Sequence, residues 1–132
     1  MIETPSTAQK FSAGMTMFIP SGPTGDHLFV IIVDVRIVGN QEKILMAPIE
    51  TIVPKSDLSC CLGIGDHPFV QHASHIGYRH CRVDNVSDIS KNLQSGYFRA
   101  GDPVSSDLLA KIQNGFRLSN QVKRFIKGDW LI

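Results

Sequence analysis

The chain has 132 residues, 42% hydrophobic and 19% charged, which excludes a largely disordered protein and predicts a single globular domain over residues 1–132. Its formal net charge of +1 excludes a uniformly basic surface, although the residues from Lys111 onward are mostly basic where charged. The longest apolar run, Leu28–Val33, is too short to cross a membrane, and three cysteines fit a reducing compartment, so we expect a cytoplasmic protein.

The first half of the chain carries the pattern of a β-rich fold. Residues 1–12 are polar and have no period, which predicts a flexible arm. Apolar and β-branched runs, separated by glycine and proline, then predict strands. The predicted strands cover residues 15–19, 28–38 and 43–47, with a loop at 20–27, a hairpin turn at 39–41 and a strand end at Pro48.

The second half predicts two more strands and then helices. The strand candidates are residues 60–64 and 74–83, and on the second His75 and His80 would face opposite sides of the sheet. A short helix is predicted over 88–93, and a second is predicted to begin at a cap formed by Ser105 or Ser106, after which apolar residues recur at helical spacing. This order predicts an α+β fold whose strands curl into a small, partly closed barrel.

Histidines are concentrated in one stretch, since four of the five lie between residues 67 and 80, near the cysteines. We expect no metal site there, because no CxxC pair exists and the predicted strand separates His75 from His80. Hydrogen-bonded histidines on the surface or in a groove are the alternative that we favour. For the adjacent Cys60 and Cys61, we favour core packing over a nucleophilic role.

Several familiar enzyme motifs are absent from the sequence. The glycine-rich segment 22–27 lacks the lysine and hydroxyl residue of a nucleotide-binding P-loop. There is no GxSxG and no HExxH motif. We therefore expect no cofactor.

The order of segments gives a further clue. A strand ending at Pro20, the 20–27 loop, the run Leu28–Val33, the segment ILMAPIET and the segment HPFVQHASHIGYRHCRV follow one another. Over residues 13–118 this order resembles the MazF/PemK-like toxins. The resemblance implies an SH3-like barrel, a homodimer, a cognate antitoxin partner and the toxin role in a type II toxin–antitoxin system.

The resemblance also implies a metal-independent endoribonuclease that cleaves single-stranded RNA with a loop arginine and a threonine after the third strand. Thr51 matches the threonine, but the 20–27 loop contains no arginine. His27, at the end of this loop, is our candidate for the acid or base, because imidazole titrates near neutral pH. Thr51 is the second catalytic candidate. The candidates for RNA binding are His72, Ser74, His75, Arg79 and Arg82.

Two alternatives stay open. The same barrel occurs in CcdB-like gyrase poisons, and the ending Asp129–Ile132 resembles their aromatic and aliphatic tail. A non-catalytic barrel that binds a protein partner is the other alternative. The alternatives differ in where the functional surface lies, since a poison would use the C-terminal tail and a nuclease would use the groove residues.

Overall fold

Eight antiparallel strands and three α-helices make up the part of the chain that the computed structural model describes, residues 10–132. The predicted α+β class is confirmed, and the described strands form a sheet that does not close on itself. Residues 1–9 of the predicted arm lie outside the described residues, while Phe11 is buried. The strands are β1 (Thr16–Pro20), β2 (Asp26–Ile31), β3 (Arg36–Val38), β4 (Gln41–Thr51), β5 (Cys61–Leu62), β6 (Ser74–Ile76), β7 (Arg82–Asn85) and β8 (Arg99–Gly101). The helices are α1 (Val86–Gln94), α2 (Ser106–Leu118) and α3 (Arg124–Asp129).

The longest strand, β4, organises the sheet, because it pairs with β2, β3, β6 and β7. Its partner changes around Pro48: the pairing with β7 ends at Met46, and the pairing with β6 begins at Ile49. Proline has no N–H to donate to a ladder, so it fits this junction between two partners. The Pro48 carbonyl accepts a hydrogen bond of 2.8 Å from the backbone N–H of Gly77, just after β6.

Apolar side chains are buried on both faces of the central strands, which explains why these segments read as continuous apolar runs. We call the core under α2 and α3 the first core and the core under α1 the second core. Strands β2 and β4 supply the first core with Leu28, Val30, Leu45, Ala47 and Ile49. They supply the second core with Phe29, Ile31, Ile44 and Met46.

The strand predicted over 28–38 is two strands in the structure. β2 ends at Ile31 and β3 begins at Arg36. Between them, the Asp34 carboxylate accepts a hydrogen bond of 2.8 Å from the backbone N–H of Ala13, which ties this bend to the chain before β1. The hairpin that follows has a two-residue turn, because Gly39 and Asn40 both adopt positive φ, 60° and 70°. β4 then continues through Pro48, the residue at which it was predicted to end.

The strand predicted over 74–83 is also interrupted, and the break changes which side chains meet. β6 ends at Ile76, a single 3-10 turn covers Tyr78–His80, and β7 begins at Arg82. The prediction that His75 and His80 face opposite sides is therefore wrong. Both imidazoles contact the carboxylate of Glu50.

Two of the three helices agree with the sequence pattern. α1 and α2 fall where they were predicted, and the Ser105 hydroxyl caps α2 by accepting a hydrogen bond of 3.1 Å from the Leu108 N–H. β8 and α3 were not predicted, because each is short and carries a weak pattern. Within residues 10–132, no helix combines the length and the apolar character of a membrane span.

Asp57 joins the segment after β4 to the end of α2. Its carboxylate accepts a hydrogen bond of 2.5 Å from the Ser119 hydroxyl, and bonds of 2.6 and 2.9 Å from the hydroxyl and backbone N–H of Ser59. Burial by itself raises the pKa of this carboxyl group. The hydrogen bonds from Ser119 and Ser59 outweigh burial, so that the pKa of Asp57 lies below its ordinary value.

We expect Asp57→Asn to lower the free energy of unfolding by ~1–3 kcal/mol at neutral pH, because it weakens buried, charge-assisted hydrogen bonds. A lowered pKa in the folded state means that ionised Asp57 stabilises the protein above the unfolded-state pKa. This stabilisation is lost as the pH falls through the folded-state pKa. The unfolding free energies of wild type and variant, measured with urea, should therefore converge as the pH falls below the ordinary pKa of an aspartate, in line with the sign of this linkage.

Asp102→Asn is the matched control, because Asp102 is exposed. It should change the unfolding free energy little at either pH. A deficit of Asp57→Asn that is the same in acid as at neutral pH would contradict the role given to the carboxylate.

Candidate functional site

Where β4 ends, side chains from separate segments line one groove of about 350 Å³. We call it the β4-end groove. Four residues that the sequence singled out lie along it, namely His27, Thr51, His72 and Ser74. Its other lining residues are Asp26, Ile49, Glu50, Phe69 and Gln71.

The register of the sheet sets these side chains in two groups at the end of β4. In the pairing of β4 with β6, Thr51 lies opposite Ser74 and Glu50 lies opposite His75. On the other side of β4, Phe29 lies opposite Pro48, so that continuing the register by two residues sets His27 beside Glu50. Residues directly opposite on antiparallel strands share a face, and neighbouring residues of one strand take opposite faces. Thr51 therefore groups with Ser74, and Glu50 groups with His75 and His27, and the groove at the end of β4 is lined from both groups.

Thr51 and His72 form a hydrogen-bonded pair at the exposed end of the groove. The distance from Thr51 Oγ1 to His72 Nε2 is 2.8 Å. The buried Ser74 hydroxyl donates a hydrogen bond of 2.9 Å to the His72 carbonyl and so fixes the backbone of that residue. When His72 Nε2–H is the donor, the Thr51 hydroxyl proton is left for another acceptor.

Glu50, which sequence reasoning missed, bridges two histidines. Its carboxylate lies 2.7 Å from Nδ1 of His80 and 3.5 Å from Nε2 of His75. The His75 side chain is 6% exposed, that of Glu50 22% and that of His80 60%, so the carboxylate links a buried imidazole to an exposed one. The only sequence signal was a lone acidic residue closing an apolar strand.

His27 and His80 share a second, adjoining groove of about 300 Å³. Phe29 and Pro48 give it an apolar surface, and Ser21 and Gly22 of the 20–27 loop form one side. The Nδ1 atom of His27 is buried and has no hydrogen-bond partner among the described residues. Nε2 is therefore the ring nitrogen of His27 that is left to meet a ligand.

The two candidate arginines lie in different surroundings. Arg79 is exposed beside Glu50 and hydrogen-bonds to no described residue. Arg82 is not brought to the groove. Its guanidinium pairs with Asp84 at 2.7 and 2.8 Å and lies 5.7 Å from the ring centroids of Phe29 and Phe98. The hydrogen bond to Asp84 raises the pKa of Arg82 above its ordinary value, against the effect of burial.

One further histidine, His67, and two cysteines, Cys60 and Cys81, are buried in the protein interior. The buried His67 accepts a hydrogen bond of 3.0 Å at Nδ1 from the Phe69 N–H and donates one of 2.7 Å from Nε2 to the Asp102 carbonyl. Burial raises the pKa of Cys60 to about 11 and that of Cys81 to about 12, which keeps both thiols protonated at neutral pH. Over residues 10–132, no three His, Cys, Asp or Glu side chains are grouped to hold a metal ion.

Comparison of the sequence with protein-family models gives no match, and comparison with curated proteins gives none either. The resemblance to the MazF/PemK-like toxins therefore depends on the order of segments and on the residues quoted above. The chemistry of the two grooves has to be argued from their own geometry.

Gly77→Ala tests what holds Glu50 in place. A Cβ atom at residue 77 would lie 2.5 Å from Cδ and Oε1 of Glu50, so the carboxylate would have to move. Alanine tolerates the Gly77 backbone, with φ −81° and ψ 75°. We expect the His80 ring to lose its Nδ1–H···Glu50 hydrogen bond and become a mixture of tautomers, which long-range ¹H–¹⁵N spectra of the imidazole detect.

Gly63→Ala is the matched control, because a Cβ atom there meets nothing within 4 Å. Both variants should keep the circular dichroism spectrum of the wild type. His80 ring signals that are the same in Gly77→Ala as in wild type would rule out this account of how Glu50 is positioned.

Proposed function

We propose that this chain is a metal-independent endoribonuclease that cleaves single-stranded RNA as the toxin of a toxin–antitoxin pair. The observation that carries the proposal is the convergence of His27, Thr51 and His72 in the β4-end groove. Two imidazoles and a hydroxyl group can move protons and contact a phosphate at neutral pH. RNA carries its own nucleophile, the ribose 2′-hydroxyl.

The reaction needs one base, one acid and stabilisation of the phosphate. The 2′-oxygen loses its proton to a base and bonds to phosphorus, while the bond from phosphorus to the 5′-oxygen breaks and that oxygen gains a proton. In the proposal, His27 carries one of the two protons. Thr51, held by the 2.8 Å bond to His72, donates its hydroxyl proton to a phosphate oxygen that gains charge in the transition state.

Binding of single-stranded RNA requires positive charge and surfaces for base stacking. Arg79 supplies an exposed charge, and the Phe69 ring, 38% exposed, lies on the rim of the β4-end groove. The acidic side chains near the RNA path are paired, Asp26 with Arg99 at 2.8 Å and Glu50 with the two imidazoles. The 20–27 loop lies over the RNA in this proposal.

The buried candidates receive supporting roles. His75 is 5% exposed and Ser74 is 4% exposed, so we assign them to holding Glu50 and His72 rather than to RNA contact. Arg82 is assigned to the packing of the second core, because its guanidinium lies 5.7 Å from the ring centroids of both Phe29 and Phe98. This division leaves His72 and Arg79 as the RNA contacts among the five sequence candidates.

The proposal includes the finer features that the resemblance implies, an SH3-like barrel, a homodimer and an antitoxin partner. The change of partner along β4, from β7 before Pro48 to β6 after it, supports the barrel, because strands that switch between sheets form the corners at which a sheet curls. The antitoxin would have to cover or distort the β4-end groove to silence the enzyme.

The C-terminal tail favours the nuclease over the gyrase poison. Trp130 is 1% exposed and belongs to the first core, with the Arg36 guanidinium 5.5 Å from its ring centroid. Arg36 also donates a hydrogen bond of 2.6 Å to the Leu131 carbonyl. A tail that binds another protein through its tryptophan would first have to leave this packing.

We expect the purified protein to cut single-stranded RNA in the presence of EDTA and to leave 2′,3′-cyclic phosphate ends. His27→Ala should lower kcat/KM by ~10²–10⁴-fold, the usual contribution of one acid or base. Thr51→Val should lose most of the rate, whereas Thr51→Ser, which keeps the hydroxyl group, should retain it. Gel analysis of end-labelled RNA gives the rates, and mass spectrometry identifies the ends.

Ser87→Ala, at an exposed position of α1, is the control and should cleave like wild type. Absence of cleavage by the wild-type chain would overturn the proposed function. Undiminished cleavage by both His27→Ala and Thr51→Val would leave a nuclease whose site lies elsewhere.

A further inference from the structure

Resting on the proposed function, we propose that His80 is a further catalytic residue, the general base of the cleavage, and that His27 is the general acid. Glu50 acts as a positioning residue for His80. The proposal assigns the two proton transfers to the two imidazoles that line one groove, His27 and His80.

The hydrogen bonds determine which nitrogen of each ring is available. His80 uses Nδ1 for its 2.7 Å contact with Glu50, which leaves Nε2 on a side chain that is 60% exposed. His27 has Nδ1 buried, which likewise leaves Nε2. Both reactive nitrogens can therefore meet the same ligand in a groove of about 300 Å³.

The carboxylate beside His80 gives this ring the character of a base. A carboxylate that accepts the Nδ1–H proton holds imidazole in the tautomer whose Nε2 lone pair can remove a proton. It also stabilises the imidazolium that forms. Glu50 is held for this role by His75 on its buried side and by the missing side chain of Gly77. Nδ1 of His27 has no hydrogen-bond partner among the described residues, so no carboxylate fixes this ring as the base, and the other proton transfer is assigned to it.

The step balances without any other reactant. Nε2 of His80 takes the proton of the ribose 2′-hydroxyl as the 2′-oxygen bonds to phosphorus. The bond from phosphorus to the 5′-oxygen then breaks, and that oxygen takes the proton from Nε2 of protonated His27. The products are a 2′,3′-cyclic phosphate and a free 5′-hydroxyl, and the two histidines end with their protonation states exchanged.

A substrate with a 5′-bridging sulfur separates the two roles. A thiolate leaves phosphorus without being protonated, so this RNA needs the base but not the acid. We expect His27→Ala to lose ~10²–10⁴-fold in rate on ordinary RNA and less than about 10-fold on the sulfur substrate. His80→Ala should lose ~10²–10⁴-fold on both substrates.

Glu50→Gln provides a second readout. It should lower the rate of the wild type at least about 10-fold, and it should have no further effect in a His80→Ala background, because its action passes through the imidazole. A merely structural role of Glu50 would lower the two rates by the same factor. His80→Asn repeats the test with a different side chain, and the melting temperatures should match wild type because His80 is exposed.

The outcomes distinguish this inference from the proposed function. If wild type cleaves neither substrate, both the function and the inference fail. If wild type cleaves and His80→Ala and His80→Asn cleave equally well, the inference fails while the nuclease stands. If the sulfur substrate rescues His80→Ala instead of His27→Ala, His80 is the acid and the assignment is overturned.

Discussion

The carboxylate of Glu50 occupies the space that a side chain at residue 77 would fill. This close approach coincides with a turn of the chain. The chain turns after Ile76, so that β6 gives way to the 3-10 turn at Tyr78–His80, and the turn brings His80 back to the carboxylate that already contacts His75. The candidate site therefore depends on a glycine that does no chemistry of its own.

A half-buried carboxylate is stable only when hydrogen bonds compensate for lost hydration. Glu50 obtains them from histidine side chains. Two residues earlier, the Pro48 carbonyl accepts a hydrogen bond from the Gly77 backbone N–H. Residues 48–50 of β4 thus lie where the strand changes its partner, hold the turn that follows β6 and carry the Glu50 carboxylate. Thr51, the next residue, extends this arrangement to His72. Fold and site share these contacts, and a substitution here affects both.

The sequence was sufficient for the α+β class, because apolar runs and turns predict strands in the first half and helices in the second. It singled out Thr51 through the family resemblance and His27 through its place at the end of the 20–27 loop, and both residues line the β4-end groove. It was insufficient for Glu50 and His80. Their contact depends on a break at Gly77, and the β-branched and aromatic residues on either side predict an unbroken strand. The prediction that Arg82 lies with the other groove residues failed for the same reason. The break at Gly77 interrupts the strand, so the side to which Arg82 points cannot be counted from the residues before the break. The short β8 and α3 are formed by tertiary packing and have little local pattern.

The edge of the sheet has a consequence for how the protein is made. β8 pairs with β1, with Thr16 opposite Gly101, and the Thr16 hydroxyl donates a hydrogen bond of 2.7 Å to the Asp102 carbonyl. Contacts between residues so far apart in sequence form slowly, because a long loop must close first. A nascent chain cannot complete this sheet until residues beyond Gly101 have left the ribosome. The edge strand β8 is therefore the part of the sheet that we expect to join last, after the pairings between strands that are neighbours in sequence.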